Sequence, residues 1–353
     1  MSMICGGLDL HRSQITFDLA DRVTGEVWRG RLLDPDRARV QRWLSEDVAA
    51  MAGDGQVRLA LEGCTGWRFV AEEIGRAGFE AYVAEPAETQ DQRGSKKRAK
   101  TDRSDARLLR ELLEQDRLPL SWIPPEVVLE WRERIRLYKT LLDDRTAWTQ
   151  RIHAELYQHG VGLGDGTRLR CEQTRQELLG DPTLGLSGAA RQRLKVCYRM
   201  MGAVDAEMNP LRAQLRAFAT RQPACRALID AHYGVGPLVS VAIWTELGDC
   251  ARFSRSDQAV RHSGLDITVH SSNDRRSGKA RLSRQGPGTL RWALYEAGKC
   301  GARPTSPDYD YYQQVKARHG GKRAALSVAR KILRRCYHTL RNLDPEQVYM
   351  TPS

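Results

Sequence analysis

The chain has 353 residues, which is enough for two or three domains with cores of their own. Its net charge of +12 and isoelectric point near 9.5 favour a nucleic-acid partner over a small neutral substrate. The sequence has no apolar run long enough to span a bilayer and no signal-peptide pattern near residue 1, so we expect a cytoplasmic protein with no membrane partner.

Strand and helix patterns alternate over the first 84 residues. Strands are predicted at 4–11, 14–20, 27–33, 57–62 and 80–84, with helices at 35–52 and 67–77. This order, with a further helix after it, is typical of a ribonuclease-H-like domain, in which helices cover a mixed sheet. The fold class is therefore α/β here, joined to a mainly α-helical remainder.

Four carboxylates stand at the ends of these elements. Asp9 ends the first strand, Glu62 ends the fourth, and Asp102 and Asp105 follow Thr101, a predicted N-cap. Taken singly, they suit a turn, a strand end and a solvated helix. Taken together, they predict a metal centre, because four converging carboxylates require a cation and Mg²⁺ or Mn²⁺ prefers oxygen ligands. Two such ions could stabilise both the attacking and the leaving oxygen at a phosphodiester.

Residues 85–100 are polar and basic, without periodicity. We expect a mobile loop that lies against a phosphate backbone. Its cations include Lys96, Lys97, Arg98 and Lys100.

Residues 119–225 carry helical patterns. Apolar residues recur at three- and four-residue steps over 128–142, glycines interrupt the pattern at 160–166, and a heptad seam runs over 194–218. Pro210 predicts a kink or a break near Asn209. We expect an antiparallel coiled-coil arm, which serves packing or self-association.

Residues 226–353 form a third predicted domain. Two helices meeting at Gly234-Val235-Gly236 are similar to a helix-hairpin-helix element, whose turn amides contact phosphates. A polar loop follows, and positions 275–291 and 316–341 contain cations without any acidic residue. Such tracts favour nucleic acid over a solvated face. The candidate contacts are Arg275, Arg276, Lys279 and Arg284. The predicted domains are thus 1–118, 119–225 and 226–353.

Six motifs along the chain carry a family likeness. They are GLDLH at 7–11, ALEGCTGW at 60–67, KTDRSDARLL at 100–109, GVGPLVSVAIWTELGD from 234, GLDITVHSS from 264 and RQGPGTLRWALYEAGK at 284–299. In these motifs the sequence resembles the DEDD-type transposases of the insertion-sequence one-ten family, relatives of the pilin-gene invertases. The resemblance covers nearly the whole chain and follows the family's order of parts.

The resemblance implies roles for particular residues. A RuvC-like N-terminal domain would supply Asp9, Glu62, Asp102 and Asp105 as catalytic metal ligands. A C-terminal domain would supply a nucleophilic serine, for which Ser272 is preferred. Ser271 is the second candidate, and Ser277 is a third because Asn273-Asp274-Arg275-Arg276 separates the motif from the Gly-Lys pair that the family usually has close by.

The resemblance also implies an activity and partners. The chain would be a DNA transposase that cuts and exchanges strands of double-stranded DNA through a covalent phosphoserine, guided by a structured RNA. It would act as a homo-oligomer, a dimer or a tetramer, with contacts from the arm. Two other interpretations stay open at this point: a RuvC-like endonuclease that hydrolyses DNA without a serine, and a non-catalytic nucleic-acid-binding protein.

Overall fold

The computed structural model describes residues 2–92, 101–162, 169, 171–268, 271–272, 275–276 and 281–350. Its contacts divide the chain into two compact units, Met1–Ile123 and Pro124–Ser353. The division of the second unit into an arm and a C-terminal domain stays a prediction.

The first unit is built on a five-stranded sheet. Its strands are β1 (Met3–His11), β2 (Gln14–Asp21), β3 (Val27–Leu33), β4 (Gln56–Glu62) and β5 (Glu80–Ala84). Their spatial order is β3-β2-β1-β4-β5. The hairpin-connected strands pair antiparallel, whereas β1 with β4 and β4 with β5 pair parallel. The predicted mixed sheet is confirmed.

Helices cover both faces of this sheet. They are α1 (Arg37–Arg42), a π-helical segment (Trp43–Val48), α2 (Ala49–Ala52), α3 (Trp67–Arg76), α4 (Pro86–Asp91) and α5 (Asp102–Glu114). Two expectations need correction. The predicted single helix over 35–52 contains the π-helical segment, and residues 86–91 of the predicted loop form α4, which begins with a proline at its first position. Residues 93–100 of that loop lie outside the described residues.

Side chains alternate between the two faces along β1. Ile4 and Leu8 are fully buried with α1 to α3 in the larger core. Cys5 points to the other face, where it joins a smaller core with Leu109 and Leu112 of α5. Since successive strand residues face opposite sides, the face that carries Cys5 also carries Gly7 and Asp9.

Two long helices dominate the start of the second unit. They are α6 (Glu126–Gln158) and α8 (Gly188–Arg221), with α7 (Glu172–Gly180) between them in the chain. Arg145 pairs with Asp205 and Glu155 with Arg193, so the two long helices run antiparallel. The predicted seam is buried except for Val204, which is half-buried. Self-association and a coiled-coil supercoil stay predictions.

The two ends of the long helix pair pack differently. The end of α6 and the start of α8 form the outer end, which packs around a buried cluster that includes Ile152, Leu156 and Leu194. The start of α6 and the end of α8 form the inner end. At the inner end Trp131 stacks on Phe218, with ring centroids 3.7 Å apart. The helix α8 continues through Pro210, so the predicted break does not occur.

The remaining α-helices of the second unit are shorter than α6 and α8. They are α9 (Pro223–Ala231), α10 (Pro237–Leu247), α11 (Ser256–Ser263), α12 (Gly288–Lys299), α13 (Tyr309–His319), α14 (Gly321–Arg341) and α15 (Pro345–Tyr349). The predicted pair of helices around the glycine turn is thus present as α9 and α10. Gly234 has φ of +85°, and a β-carbon there would lie 2.8 Å from the carbonyl oxygen of Ala297, so this turn packs on α12. Phosphate contact by the turn stays a prediction.

Within the described part of the chain, no helix combines the length and apolar character that a membrane crossing requires.

Candidate active site

Two of the predicted acidic residues lie next to each other at the end of paired parallel strands. Leu8 of β1 and Leu61 of β4 are register partners. Asp9 and Glu62 each follow by one residue, so both carboxylates belong to the same end of this strand pair. Asp9 and Glu62 are also half-buried. The strand order therefore brings together two residues that are 53 positions apart in the sequence.

The helix α5 packs very closely on β1. A β-carbon on Gly7 would lie 1.9 Å from the carbonyl oxygen of Ala106 and 2.6 Å from the backbone nitrogen of Arg110. Only glycine permits this approach. Cys5 contacts the later part of α5 and Gly7 the middle, so the helix runs antiparallel to β1 and its first turn lies toward Asp9.

The start of α5 is fixed by a capping box. Thr101 accepts a hydrogen bond from the backbone nitrogen of Ser104 at 3.2 Å, and Ser104 Oγ accepts one from the Thr101 nitrogen at 3.1 Å. The predicted N-cap is confirmed. Asp102 and Asp105 therefore lie in the first turn, where the helix dipole favours negative charge.

The two aspartates of α5 differ in environment. Asp105 is buried, and its Oδ1 accepts from Ser104 Oγ at 3.3 Å. Asp102 is exposed, and its Oδ2 accepts from Nε2 of Gln14 on β2 at 2.8 Å. One carboxylate thus faces the protein, while the other is held at the surface by a side chain from the sheet.

The thiol of Cys64 lies near the carboxylates at this edge of the sheet, and their charges change its pKa. Burial raises the pKa of Cys64, and the charges of Glu62 and Asp9 raise it further. Both carboxylates act on this thiol because Cys64 follows Glu62 by two residues and Asp9 lies at the adjacent strand end.

The second strand contributes three polar residues to the same face. Asp18 is buried and accepts from Arg110 Nε at 2.6 Å and from Arg29 Nε at 2.7 Å. Thr16, which is 2% exposed, is the register partner of Asp9. Its Oγ1 has no hydrogen-bond partner among the described residues. With Gln14, these residues line one side of β2 at every second position.

The donor set suits a hard divalent cation, since carboxylate oxygens are the ligands that Mg²⁺ and Mn²⁺ prefer. Asp9, Glu62, Asp102 and Asp105 all belong to one sheet face and the first turn of the helix on it. Within the described residues, however, no three acidic, histidine or cysteine side chains are arranged to hold a metal ion. The predicted metal centre thus has its donors on one face without a closed ligand set, and it stays a prediction.

Ser271 and Ser272 lie in the second unit, on one of four very short strands. The strands are β6 (Ile267–Thr268), β7 (Ser271–Ser272), β8 (Arg275–Arg276) and β9 (Arg281–Leu282). The first pairs with the last and the inner two pair with each other, all antiparallel. Ser272 is the register partner of Arg275 and Ser271 that of Arg276. Ser277 lies outside the described residues.

Three of the eight predicted nucleic-acid contacts lie among the described residues. Lys96, Lys97, Arg98, Lys100 and Lys279 lie outside the described part of the chain. Arg275 and Arg276 form β8. Arg284 is exposed and has φ of +55°, and its backbone nitrogen donates to the Gly264 carbonyl oxygen at 3.2 Å. The start and end of the serine segment, which we define as residues 264–284, are therefore tied together at this point.

The basic tract over 316–341 needs a correction. The sequence predicts cations without compensating charge, but Arg334 pairs with Asp257 at 2.9 Å, and Arg335 and Lys331 both pair with Asp308. Arg330 donates to the Leu265 carbonyl oxygen at 2.7 Å. Three of the nine lysines and arginines in the tract are therefore paired with carboxylates from elsewhere in the chain, so the tract is a weaker argument for a polyanion than the sequence implies.

Gln14 and Thr16 are candidate site residues that the sequence did not single out. The available signal is the alternation along β2, where Gln14, Thr16 and Asp18 interrupt an otherwise apolar strand at every second position. This pattern indicates a polar face, but it does not reveal that α5 packs on that face.

Two family models match the chain in order. One, described as a transposase and carrying the name DEDD_Tnp_IS110, matches residues 6–160, which include all four acidic residues. The other, described as transposase IS116/IS110/IS902 family, matches residues 226–313, which include the serine segment.

One curated relative also matches. The transposase for insertion sequence element IS1111A of Coxiella burnetii (strain RSA 493 / Nine Mile phase I) is 23% identical over 238 residues, which are 66% of this chain and 64% of that protein.

Proposed function

Because the chain belongs to the IS110 family of transposases, whose models together match more than half of it, we propose that it is a DNA transposase that cuts and rejoins strands through a phosphoserine link. One observation carries the proposal most directly. Asp9, Glu62 and the first turn of α5 share one face and one end of the sheet, inside the segment that matches the family's first model.

A divalent cation, Mg²⁺ or Mn²⁺, would be held by Asp9, Glu62, Asp102 and Asp105. When bound, it would supply Lewis-acid stabilisation of the phosphate oxygens. The protein's own contribution is to hold the carboxylates in place. Gln14 holds Asp102 and the capping box fixes the first turn, so the ligands need little reorganisation.

The chemical step is a transesterification. Ser272 Oγ forms a bond to the scissile phosphorus and gives up its proton, while the bond from phosphorus to one deoxyribose oxygen breaks and that oxygen takes up a proton. The phosphodiester count is unchanged, so rejoining to another strand needs no high-energy cofactor. We assign to Arg275, the register partner of Ser272, the role of offsetting phosphate charge.

Nucleic acid would bind through the basic segments on either side of the acidic residues and the serine. The proposed contacts are Lys96, Lys97, Arg98, Lys100, Arg275, Arg276, Lys279 and Arg284. A structured RNA would choose the DNA by base pairing, while the protein holds backbone and shape. Sequencing of RNA that co-purifies with the chain tests this part, and a random cellular mixture in place of one defined RNA would contradict it.

The phosphoserine is tested with a suicide DNA substrate that bears the ends of the element encoding the chain. The wild type should form a covalent adduct with a labelled strand. Ser272→Ala should abolish the adduct, whereas Ser271→Ala and Ser277→Ala should retain it. Asp9→Asn and Glu62→Gln should lose cleavage altogether. Cleavage by the wild type without any adduct would exclude the serine mechanism.

A second candidate function is a RuvC-like endonuclease that hydrolyses DNA. One observation favours it: all four acidic residues lie within the first unit, and the candidate serines lie in the second. This enzyme would cleave equally well in wild type and Ser272→Ala, and its products would carry free ends only. The suicide substrate therefore distinguishes the two candidates in one experiment.

A further inference from the structure

A buried hydroxyl group lies beside the proposed metal ligands and takes no part in the function described so far. Thr16 is 2% exposed, and its Oγ1 has no hydrogen-bond partner among the described residues. Buried hydroxyl groups nearly always find a partner, and an unpaired one is a sign of a missing water or ion. A hydroxyl can both donate and accept, so either partner suits its chemistry.

The strand register places Thr16 next to the acidic residues. Thr16 is the direct partner of Asp9 in the antiparallel ladder of β1 and β2. Directly opposite residues lie on the same face, about 5 Å apart. The two residues on either side of Thr16 at this face both reach α5: Gln14 donates to Asp102, and Asp18 accepts from Arg110. Thr16 therefore lies under α5, between these two contacts and beside Asp9.

Packing alone does not explain a threonine at this position. Valine has nearly the same shape and an equal preference for strands, and it would leave no unpaired polar atom. The hydroxyl group also makes no direct hydrogen bond to Asp9, since no partner lies within reach of it in the described residues. A water molecule between Asp9 and Thr16 would give the Thr16 hydroxyl group its partner, because a bridging water spans a gap that a direct hydrogen bond does not.

We propose that Thr16 is a positioning residue of the metal site, and that its hydroxyl group hydrogen-bonds a water molecule held by the divalent cation beside Asp9. This inference rests on the proposed function, because it requires that cation. Outer groups of this kind orient a metal's ligands and commonly change metal affinity by about tenfold or more. Thr16 would thus act through the water and would not touch the DNA.

The test is Mn²⁺ binding to the full chain, measured by isothermal titration calorimetry on protein freed of nucleic acid. Thr16→Val keeps the shape and removes the hydroxyl group, so Mn²⁺ should bind about tenfold more weakly. Thr16→Ser keeps the hydroxyl group and should bind Mn²⁺ close to the wild type. Without metal, the unfolding midpoint of Thr16→Val should be equal to or above that of the wild type, since the variant loses an unpaired polar group.

Two results would overturn the inference. Unchanged Mn²⁺ affinity in Thr16→Val would show that the hydroxyl group plays no part, and an equal loss in Thr16→Ser and Thr16→Val would assign the effect to packing. Asp9→Asn separates this inference from the proposed function. If Asp9→Asn abolishes binding while Thr16→Val has no effect, only the role of Thr16 fails. If the wild type binds no Mn²⁺ that depends on Asp9, the metal site itself fails.

Discussion

Gln14 reaches from β2 to the first turn of α5, where its Nε2 donates a hydrogen bond of 2.8 Å to Oδ2 of Asp102. The two residues are 88 positions apart in the sequence. This contact is the link between the sheet and an exposed carboxylate that we assign to the metal site. It holds that carboxylate in one position before any ion or DNA arrives.

Replacement of Gln14 tests whether this contact matters for the reaction. Gln14→Met keeps the length of the side chain and removes the donor, so strand cleavage should fall by about tenfold while stability changes by about 1 kcal/mol or less. Cleavage is measured on the suicide DNA substrate, and stability by urea unfolding. Gln115→Met is the matched control, because Gln115 is the exposed C-cap residue of α5, far from its first turn. Full activity in Gln14→Met would remove Gln14 from the site.

Arg110 should be essential for the stability of the first unit. Its Nε donates to the carboxylate of Asp18, which is 2% exposed. In Arg110→Met the cations left beside this buried carboxylate are Arg29 and Arg107, which are both half-exposed. Removal of one partner of a buried pair typically costs about 3 kcal/mol. Arg107→Met is the control, because Arg107 lies 3.7 Å from the same carboxylate at the surface and should cost below about 1 kcal/mol. Urea unfolding of both variants measures the difference, and equal costs would contradict the prediction.

Gly7 should tolerate no side chain. In Gly7→Ala the new β-carbon would meet backbone atoms of Ala106 and Arg110, which cannot rotate away, so α5 must move off the sheet. We expect a loss of about 3 kcal/mol or more, together with a loss of Mn²⁺ binding as the first turn is displaced. Gly75→Ala is the control, because a β-carbon at Gly75 would meet nothing within 4 Å and alanine favours the helix α3. A Gly7→Ala protein with wild-type stability would mean that α5 does not approach β1 this closely.

His262 should make the chain sensitive to mild acid. Burial lowers the pKa of His262 to about 4, and the positive charges of Arg252 and Arg132 lower it further. The Glu246 carbonyl oxygen, 3.3 Å from Nε2, opposes this shift. In the unfolded chain the pKa of histidine is about 6.5. The folded chain therefore binds fewer protons in this range, so its stability is complete above pH 6.5 and falls as the pH drops toward 4.

The expected size of this effect is about 3 kcal/mol across that window. Urea unfolding between pH 7 and pH 4 measures it. His262→Gln should flatten the profile, whereas His319→Gln, on the exposed end of α13, should leave it unchanged. A slope that persists in His262→Gln would assign the acid sensitivity to other groups.

The sequence predicts the strands well, and also the acidic residues Asp9 and Glu62 at their ends, because both depend on local patterns. Alternation along 14–20 and the polar residues at strand ends are local signals, and Thr101 followed by an apolar helical pattern is a local signal for a helix start. The likeness of this element order to a ribonuclease-H-like sheet brings the ends of the first and fourth strands together, but the order of all five strands comes only from the structure. These rules place Asp9 beside Glu62 without any knowledge of the structure.

Other features depend on contacts between distant parts of the chain. Asp308 and Asp257 compensate cations of α14 that are 23 to 77 positions away, so a search of the neighbouring sequence could not find them. The close approach of α5 to Gly7 has the same origin. Glycine at position 7 indicates freedom of the backbone, but only the packed helix shows that the space is filled.

The helix α8 also has a mechanical consequence. Its 34 residues form one rod of roughly 50 Å, anchored at the inner end by Phe218 and at the outer end by the cluster around Leu194. Taken as a rigid rod held along α6, a helix of this length would act as a lever. A rotation of about 5° at the inner end carries the outer end by roughly 4 Å, given a rise of about 1.5 Å per residue. Small movements among the C-terminal helices would therefore be amplified into displacements at the far end of the helix pair.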